Sequence, residues 1–315
     1  MDKYYVKRIK KRIKDIRKML DEKRDDWELK YKEYCEIFAR KSKRLHISGD
    51  PEVNSPIDQY MTITLDDSLV SLRYKGQIVG KLDLSGEETE LCIEKNTHDH
   101  NKSYFELDIP EGNYAWRAST EAEIFRTCFG GNPEKENIPV KTIESALVSY
   151  IESNSQIELE PVKLAGKRFY MPAPFSVYNS NNIHFCNSAK QGVMNVLAIS
   201  GRSQKNLTVI KVGSSNERGA VKDALLKAVS HGAFLCELIR SDRAGGEQWL
   251  KNFSISRELK ESETIRCLVA IPDIKNDTKE MIERINDRDS FSIGKDKLEI
   301  GFLSLDPKSY SVISS

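Results

Sequence analysis

The sequence predicts an α+β chain whose C-terminal half is α/β. A long amphipathic helix comes first, then a small antiparallel β domain, then an α/β domain with a mixed sheet. Three observations predict this. Residues 3–45 contain neither Gly nor Pro and carry apolar residues at alternating spacings of three and four. Residues 60–109 change to short segments of period two. From Val140 onward, strand-like and helix-like segments alternate, the order of an α/β domain.

In the first region Val6, Ile9, Ile13, Ile16 and Leu20 form a narrow stripe, continued less regularly by Trp27, Tyr31, Tyr34 and Phe38. The segment is one helix, or a helix with a single break near "DEKRDD". The narrow seam suits a coiled coil or a helical hairpin. Lys and Arg crowd the first turns ("VKRIKKRIKDIRK"), where cations oppose the helix macrodipole. Helix stability therefore does not explain them. They form a solvated face, a dimerisation helix, or an arm that binds a polyanion.

"SGDPEVNSPIDQ" is rich in turn formers and ends the helical region. The segments "MTITL", "SLVSLRY", "QIVGKLDL", "TELCIEK" and "YFELDI" then read as an antiparallel meander. His98, Asp99 and His100 fall in a polar loop between two of them, with no third ligand placed by the sequence, and read as surface. Ser119 or Thr120 caps a helix that Gly130 and Gly131 end. "NPEKENIP" is a second linker. The predicted regions are 1–47 (basic amphipathic helix or coiled coil), 58–131 (β-rich domain) and 140–315 (α/β domain).

Within the last region, "VKTIESALVSYIESN" is helical, with Ile143, Leu147, Val148 and Ile151 on one side. "IELEPVKL" and "KRFYMPAPFSVY" are strand-like, and the prolines of the second suit an edge or an extended loop. "VMNVLAIS" and "LTVIKVG" are consecutive apolar strands, as expected of strands buried on both faces. "GAVKDALLKAVSHGAFLCELIRS" is a helix, "TIRCLVAIP" a buried strand, "TKEMIERIND" a helix and "KLEIGFLSLD" a last strand.

The formal net charge of +1 leaves no global signature of nucleic-acid binding. The six cysteines are scattered singly, without finger or redox spacing, and read as reduced thiols. No apolar core of a secretion signal and no run long enough for a membrane span appears, so a cytoplasmic protein without membrane contact is expected. Phosphate-binding Gly loops, GxSxG and HExxH are absent. Ser230 and His231 are adjacent, so on a helix their side chains diverge and do not form a nucleophile–base pair.

The segments "IESALVSYIESNSQIELEPVKLAGKRFYMPAPF", "GVMNVLAIS…LTVIKVG", "ALLKAVSHGAFLCELIRSD" and "GGEQWLKNF", taken in order, resemble the restriction-endonuclease-like, or PD-(D/E)XK, superfamily. The resemblance covers Ile143 to Pro272 and lies with a bacterial nuclease-like group. It implies a restriction-endonuclease-like α/β domain in the C-terminal half. In that superfamily the first core strand carries Asp, and the second carries an acid, one residue and a Lys. The acids chelate Mg²⁺, which acidifies a bound water and stabilises charge on the scissile phosphate.

Laid on that template, Glu144 keeps the helix acid and Asn195 stands in the Asp position. In the gap-free alignment Lys211 replaces the second acid and Gly213 the Lys; shifting by two keeps Lys211 as Lys but puts Val209 at the acid. Lys227 occupies the helix position where many relatives have Gln. The resemblance thus implies a degenerate site at Glu144, Asn195, Lys211, Gly213 and Lys227, with no metal held and no catalytic set intact. Two other readings of the residues stand beside it. The strands belong to an ordinary α/β core with Lys211 pairing Glu144, or a migrated acid such as Glu217 or Asp223 restores the site.

Three functions follow. The first is a nuclease-like protein without catalysis that binds nucleic acid or protein, as a subunit of a bacterial defence or DNA-processing system. DNA or RNA would meet Lys7, Arg8, Lys10, Lys11, Arg12, Lys211 and Lys227. The second is an active nuclease with Mg²⁺ as cofactor at a rearranged site. The third is a protein-interaction module forming a homodimer through the N-terminal helix.

Overall fold

The computed structural model describes residues 2–45, 61–66, 69–74, 77–130, 147, 150–151, 158–164, 167–177, 183–186, 193–194, 196–201, 205–213, 217–272, 274, 280, 285–286, 291–308 and 312–313. The helical region is two helices, α1 (Asp2–Glu22) and α2 (Arg24–Leu45), broken at Lys23 inside the "DEKRDD" stretch. Trp27 closes the joint by donating its indole N–H to the Leu20 carbonyl at 3.0 Å. The stripe Ile9, Ile13, Ile16 and Leu20 is buried within the chain itself, in the same core as the C-terminal half. The observation that suggested self-association is thus satisfied by intramolecular packing.

The first sheet contains β1 (Met61–Asp66), β2 (Leu69–Tyr74), β3 (Gln77–Asp83) and β4 (Glu90–Ile93) as an antiparallel meander, with β5 (Gly112–Ala115) beyond β4. Between β4 and β5 stands a helix, α3 (Lys95–Phe105), where the sequence pattern suggested a loop and a strand. Its buried residues are Thr97, Asn101 and Phe105, four apart. Two of the three are polar, so the helical period was invisible as an apolar one. Asn101 has a specific task. A bulge leaves Val79 between the pairs Leu72↔Gly80 and Arg73↔Ile78, and the Asn101 amide donates to the Val79 carbonyl at 2.7 Å. The helix α4 (Thr120–Gly130) follows; the Ser119 hydroxyl accepts from the Ala122 N–H at 3.2 Å, capping it as its sequence predicts.

The sheet is completed from far along the chain. Short strands β6 (Leu159–Pro161) and β7 (Lys163–Leu164) precede β8 (Lys167–Pro172), which runs parallel to β1. β8 also pairs with β7 and with β11 (Val193–Met194), so it is an interior strand and not the edge that its prolines suggested. Pro172 ends the strand, which explains why it is tolerated there. β9 (Phe175–Val177) and β10 (Ile183–Phe185) form a separate hairpin.

The second sheet has the order β15-β16-β14-β13-β12-β6. β6, β12 (Val196–Ser200) and β13 (Asn206–Val212) are antiparallel neighbours. The long helix α5 (Arg218–Arg240) crosses over to β14 (Thr264–Pro272), which is parallel to β13. β16 (Asp296–Leu305) is parallel to β14, and β15 (Phe291–Ile293) closes a hairpin on β16. The sheet is therefore mixed, as expected. A short helix α6 (Gly246–Asn252) follows α5. The segment 278–287, expected to be helical, falls largely outside the described residues, as does most of 140–154; within the latter, Leu147 and Ile151 are helical and buried on the far face of this sheet.

α1 and α2 lie over α5. Trp27 and Tyr31 pack edge-on to Phe234, with centroids 5.7 Å and 4.9 Å away. Buried Glu28 of α2 accepts from the Ser241 hydroxyl at 2.7 Å and from Arg24 at 3.2 Å. At Gly232, α5 comes so close to β14 that a Cβ would overlap the Cys267 sulfur, so only glycine permits this approach.

Candidate functional site

Strand β13 presents alternate residues to its two faces. Leu207 and Val209 enter the core that α5 covers, whereas Ile210 enters the core on the opposite face. By the same alternation Lys211 faces α5. On α5, Lys227 and His231 stand one turn apart. His231 is buried, and the positive charges of both Lys211 and Lys227 reach its ring. The three residues thus form one cationic cluster beneath α5, half-open at the two lysines.

The His231 ring lies against Phe175 of β9, with centroids 5.5 Å apart at 30°. Its Nδ1 has no hydrogen-bond partner among the described residues. Burial first, and then the charges of Lys211 and Lys227, push its pKa well below the ordinary 6.5. The ring is therefore neutral in the folded protein, while the unfolded chain takes up a proton below 6.5. Folding stability is full above that pH and falls as pH drops toward the folded value, by about 1.4 kcal/mol per unit. His231→Phe is expected to flatten this slope in urea melts between pH 7 and 5. An unchanged slope would assign the acid sensitivity to other groups. The neighbouring Ser230 hydroxyl donates to the Leu226 carbonyl at 2.6 Å, along the helix and away from the ring.

One turn before Lys227, Asp223 faces α1. Burial lowers the pKa of Arg12 while the carboxylates of Asp15 and Asp223 raise it, so Arg12 and Asp223 lie within electrostatic reach. Arg12 is buried at 3% exposure. It shares the inward side of α1 with Ile9, Ile13 and Ile16, so it is not part of the exposed cationic surface expected of it. Lys7, Lys10 and Lys11 do stay exposed, with Lys3, Lys14 and Lys18 extending the same side of α1. Arg8 lies over the Tyr4 ring at 5.2 Å.

The remaining expected site positions are not all gathered here. Gly213 is buried, and its N–H donates to the Ala270 carbonyl at 2.9 Å, so it serves as a backbone joint between β13 and β14. Glu144 and Asn195 lie outside the described residues. The flanks of Asn195 are informative: Met194 pairs with Met171 in the first sheet and Val196 with Ile210 in the second, so the chain changes sheets there. Glu217 is exposed immediately before α5. His98 and His100 stand on α3 and not on a loop. His98 pairs with Asp108 at 2.8 Å, while His100 packs on Tyr104 at 4.6 Å, so the two rings do not converge. Among the described residues no group of three His, Cys, Asp or Glu gathers as a metal site would need.

Two participants escaped sequence reasoning. The i,i+4 spacing of Lys227 and His231 was a usable signal, but His231 drew attention only for its neighbour Ser230. Phe175 carried no signal, because its place depends on a hairpin from another part of the fold. Among the described residues no helix is long and apolar enough to cross a membrane. No known family, curated protein or solved structure matches the chain.

Proposed function

We propose that this chain binds nucleic acid through a nuclease-like α/β domain whose metal-chelating acids have been replaced by cations, and that it acts without cleaving its ligand. The observation that carries the reading is the convergence of Lys211 and Lys227 on the neutral, buried His231. Two ammonium groups at that point attract a phosphate and repel Mg²⁺. The strand and helix order supports it: three antiparallel strands, β6, β12 and β13, then α5, then β14 parallel to β13. The exposed lysines of α1 supply a second cationic strip. A role as one subunit of a bacterial defence or DNA-processing assembly fits a binder that leaves cleavage to a partner.

The test is fluorescence anisotropy with labelled DNA and RNA in EDTA over a salt series. Micromolar or tighter binding at low salt is expected. Lys227→Gln and Lys7→Gln should each weaken it and reduce the slope of log K against log salt by about one. No binding at low salt would sink the proposal. A second reading, an active nuclease with a migrated acid, draws on Asp223, whose Oδ1 has no hydrogen-bond partner among the described residues. Cleavage in Mg²⁺ or Mn²⁺ that Asp223→Asn abolishes would favour it.

A further inference from the structure

A cavity of about 430 Å³ opens between α2 and the residues that follow β8 and β10. It falls in the size range of small-ligand pockets, roughly 300–1,000 Å³. Its walls are apolar and aromatic: Trp27 and Tyr34 from α2, Pro172 and Pro174 after β8, and Phe185 at the end of β10. Tyr31 holds the walls together, donating its hydroxyl proton to the Pro172 carbonyl at 2.6 Å. The pocket is thus built by hydrogen bonding across elements and does not depend on a ligand to form.

Its mouth is cationic on two sides. The Lys23 ammonium lies 5.9 Å from the Phe185 ring centroid, and the Lys30 ammonium lies 5.7 Å from that of Tyr34. Both distances are near the limit of a useful cation–π contact, about 6 Å, so either lysine turns outward at small cost. Asp26 also borders the cavity and lies 3.8 Å from Lys23, leaving one positive charge in excess. Leu29 stands at the lip, 54% exposed.

An aromatic-walled slot flanked by ammonium groups matches a planar base joined to a phosphate. The base stacks on the ring faces and the lysines meet the phosphate. A base paired within a duplex cannot enter such a slot, so the ligand must offer an unpaired one. We propose that this pocket takes an unpaired nucleobase of a nucleoside phosphate, either in a single strand or as a free nucleotide. The proposal deepens the nucleic-acid reading and rests on it for the single-strand source only.

The experiment is titration of the full chain in EDTA with a 12-nucleotide single strand, its duplex and AMP. The single strand is expected to bind at least tenfold tighter than the duplex. Phe185→Ala should weaken it about tenfold, within the span that removing one stacking partner produces. Leu29→Glu, an exposed site where folding is undisturbed, places a negative charge at the lip and should weaken it similarly. AMP binding that both variants reduce identifies the free nucleotide as a sufficient ligand. Binding of single strand or AMP that neither variant alters overturns the pocket assignment, as does no binding of either. Loss of strand binding in Lys227→Gln with AMP binding unchanged leaves the pocket standing apart from the α5 cluster. Sensitivity of AMP binding to Phe185→Ala with no nucleic-acid binding at any salt sinks the nucleic-acid reading alone.

Discussion

Deletion of residues 1–45 is expected to leave a chain that does not fold. Ile9, Ile16, Leu20, Trp27, Tyr31 and Tyr34 are each at most 2% exposed and pack in one core with α5. Burying a side chain of this size contributes roughly 1.5–3 kcal/mol, so the six together contribute on the order of 10 kcal/mol. That equals the whole net stability of a typical domain, about 5–15 kcal/mol. The cut also strips the Tyr31 hydrogen bond from Pro172 and the partner of Ser241. Circular dichroism and a thermal melt of the truncated chain decide the matter. A soluble product with a cooperative melt would show that the helices are an appendage. It follows that truncation is a poor assay for self-association, which is better read from sedimentation of the intact chain.

The second large effect is expected at Asp296. This buried carboxylate accepts from Arg240 Nε at 2.9 Å and from the Glu263 N–H at 2.8 Å. Arg240 also donates to the carbonyls of Lys260 and Glu261, and Glu263 takes a two-pronged contact from Arg257 at 2.5 Å and 2.6 Å. The end of α5, the start of β14 and the β15–β16 hairpin are thereby tied to one carboxylate. Asp296→Ala strands a partly buried guanidinium and a backbone donor together, and breaking such a buried pair costs about 3–5 kcal/mol. The expected drop in melting temperature is on the order of 10 °C. A drop under about 2 °C would show that water replaces the carboxylate at no cost. Acid acts on the same network. Burial pushes the Glu263 carboxyl up, but the Arg257 hydrogen bonds and the Lys260 N–H outweigh it and hold the pKa below its ordinary value. The stability that this depressed pKa adds is present at neutral pH and is lost as pH falls through the folded value.

What the sequence made legible was the content of each element more than its address. The three–four spacing of Ile9, Ile13, Ile16 and Leu20 correctly marked a buried stripe, but nothing in it named α5 as the surface that covers it. The apolar runs of β12, β13 and β14 read as central strands and are central. Their pairing with β6 and β16 in a mixed sheet agrees with the alternating order of elements. The helix α3 was missed because Thr97 and Asn101 do inward work that apolar patterning does not register. The addition of β8 to the first sheet was hidden because a parallel partner leaves no trace in either strand's own residues. Of the candidate site, Lys211 and Lys227 were singled out in the sequence and lie together, Arg12 was singled out and is buried elsewhere, and His231 was undervalued.

The parallel pairing of β1 with β8, and the seat of α1 on α5, have a consequence for how the chain is made. Strand β1 waits for a partner about a hundred residues downstream. Arg17 of α1 waits for Glu237, 220 positions later. At a synthesis rate of roughly 5–20 residues per second, the apolar stripe of α1 leaves the ribosome on the order of ten to forty seconds before the surface that covers it. Through that interval the stripe is open to water and to other nascent chains. The crowd of Lys and Arg on its outer side keeps the unpaired helix soluble by charge repulsion. Those lysines therefore have a task during synthesis as well as in the finished protein, one that is complete once α5 emerges.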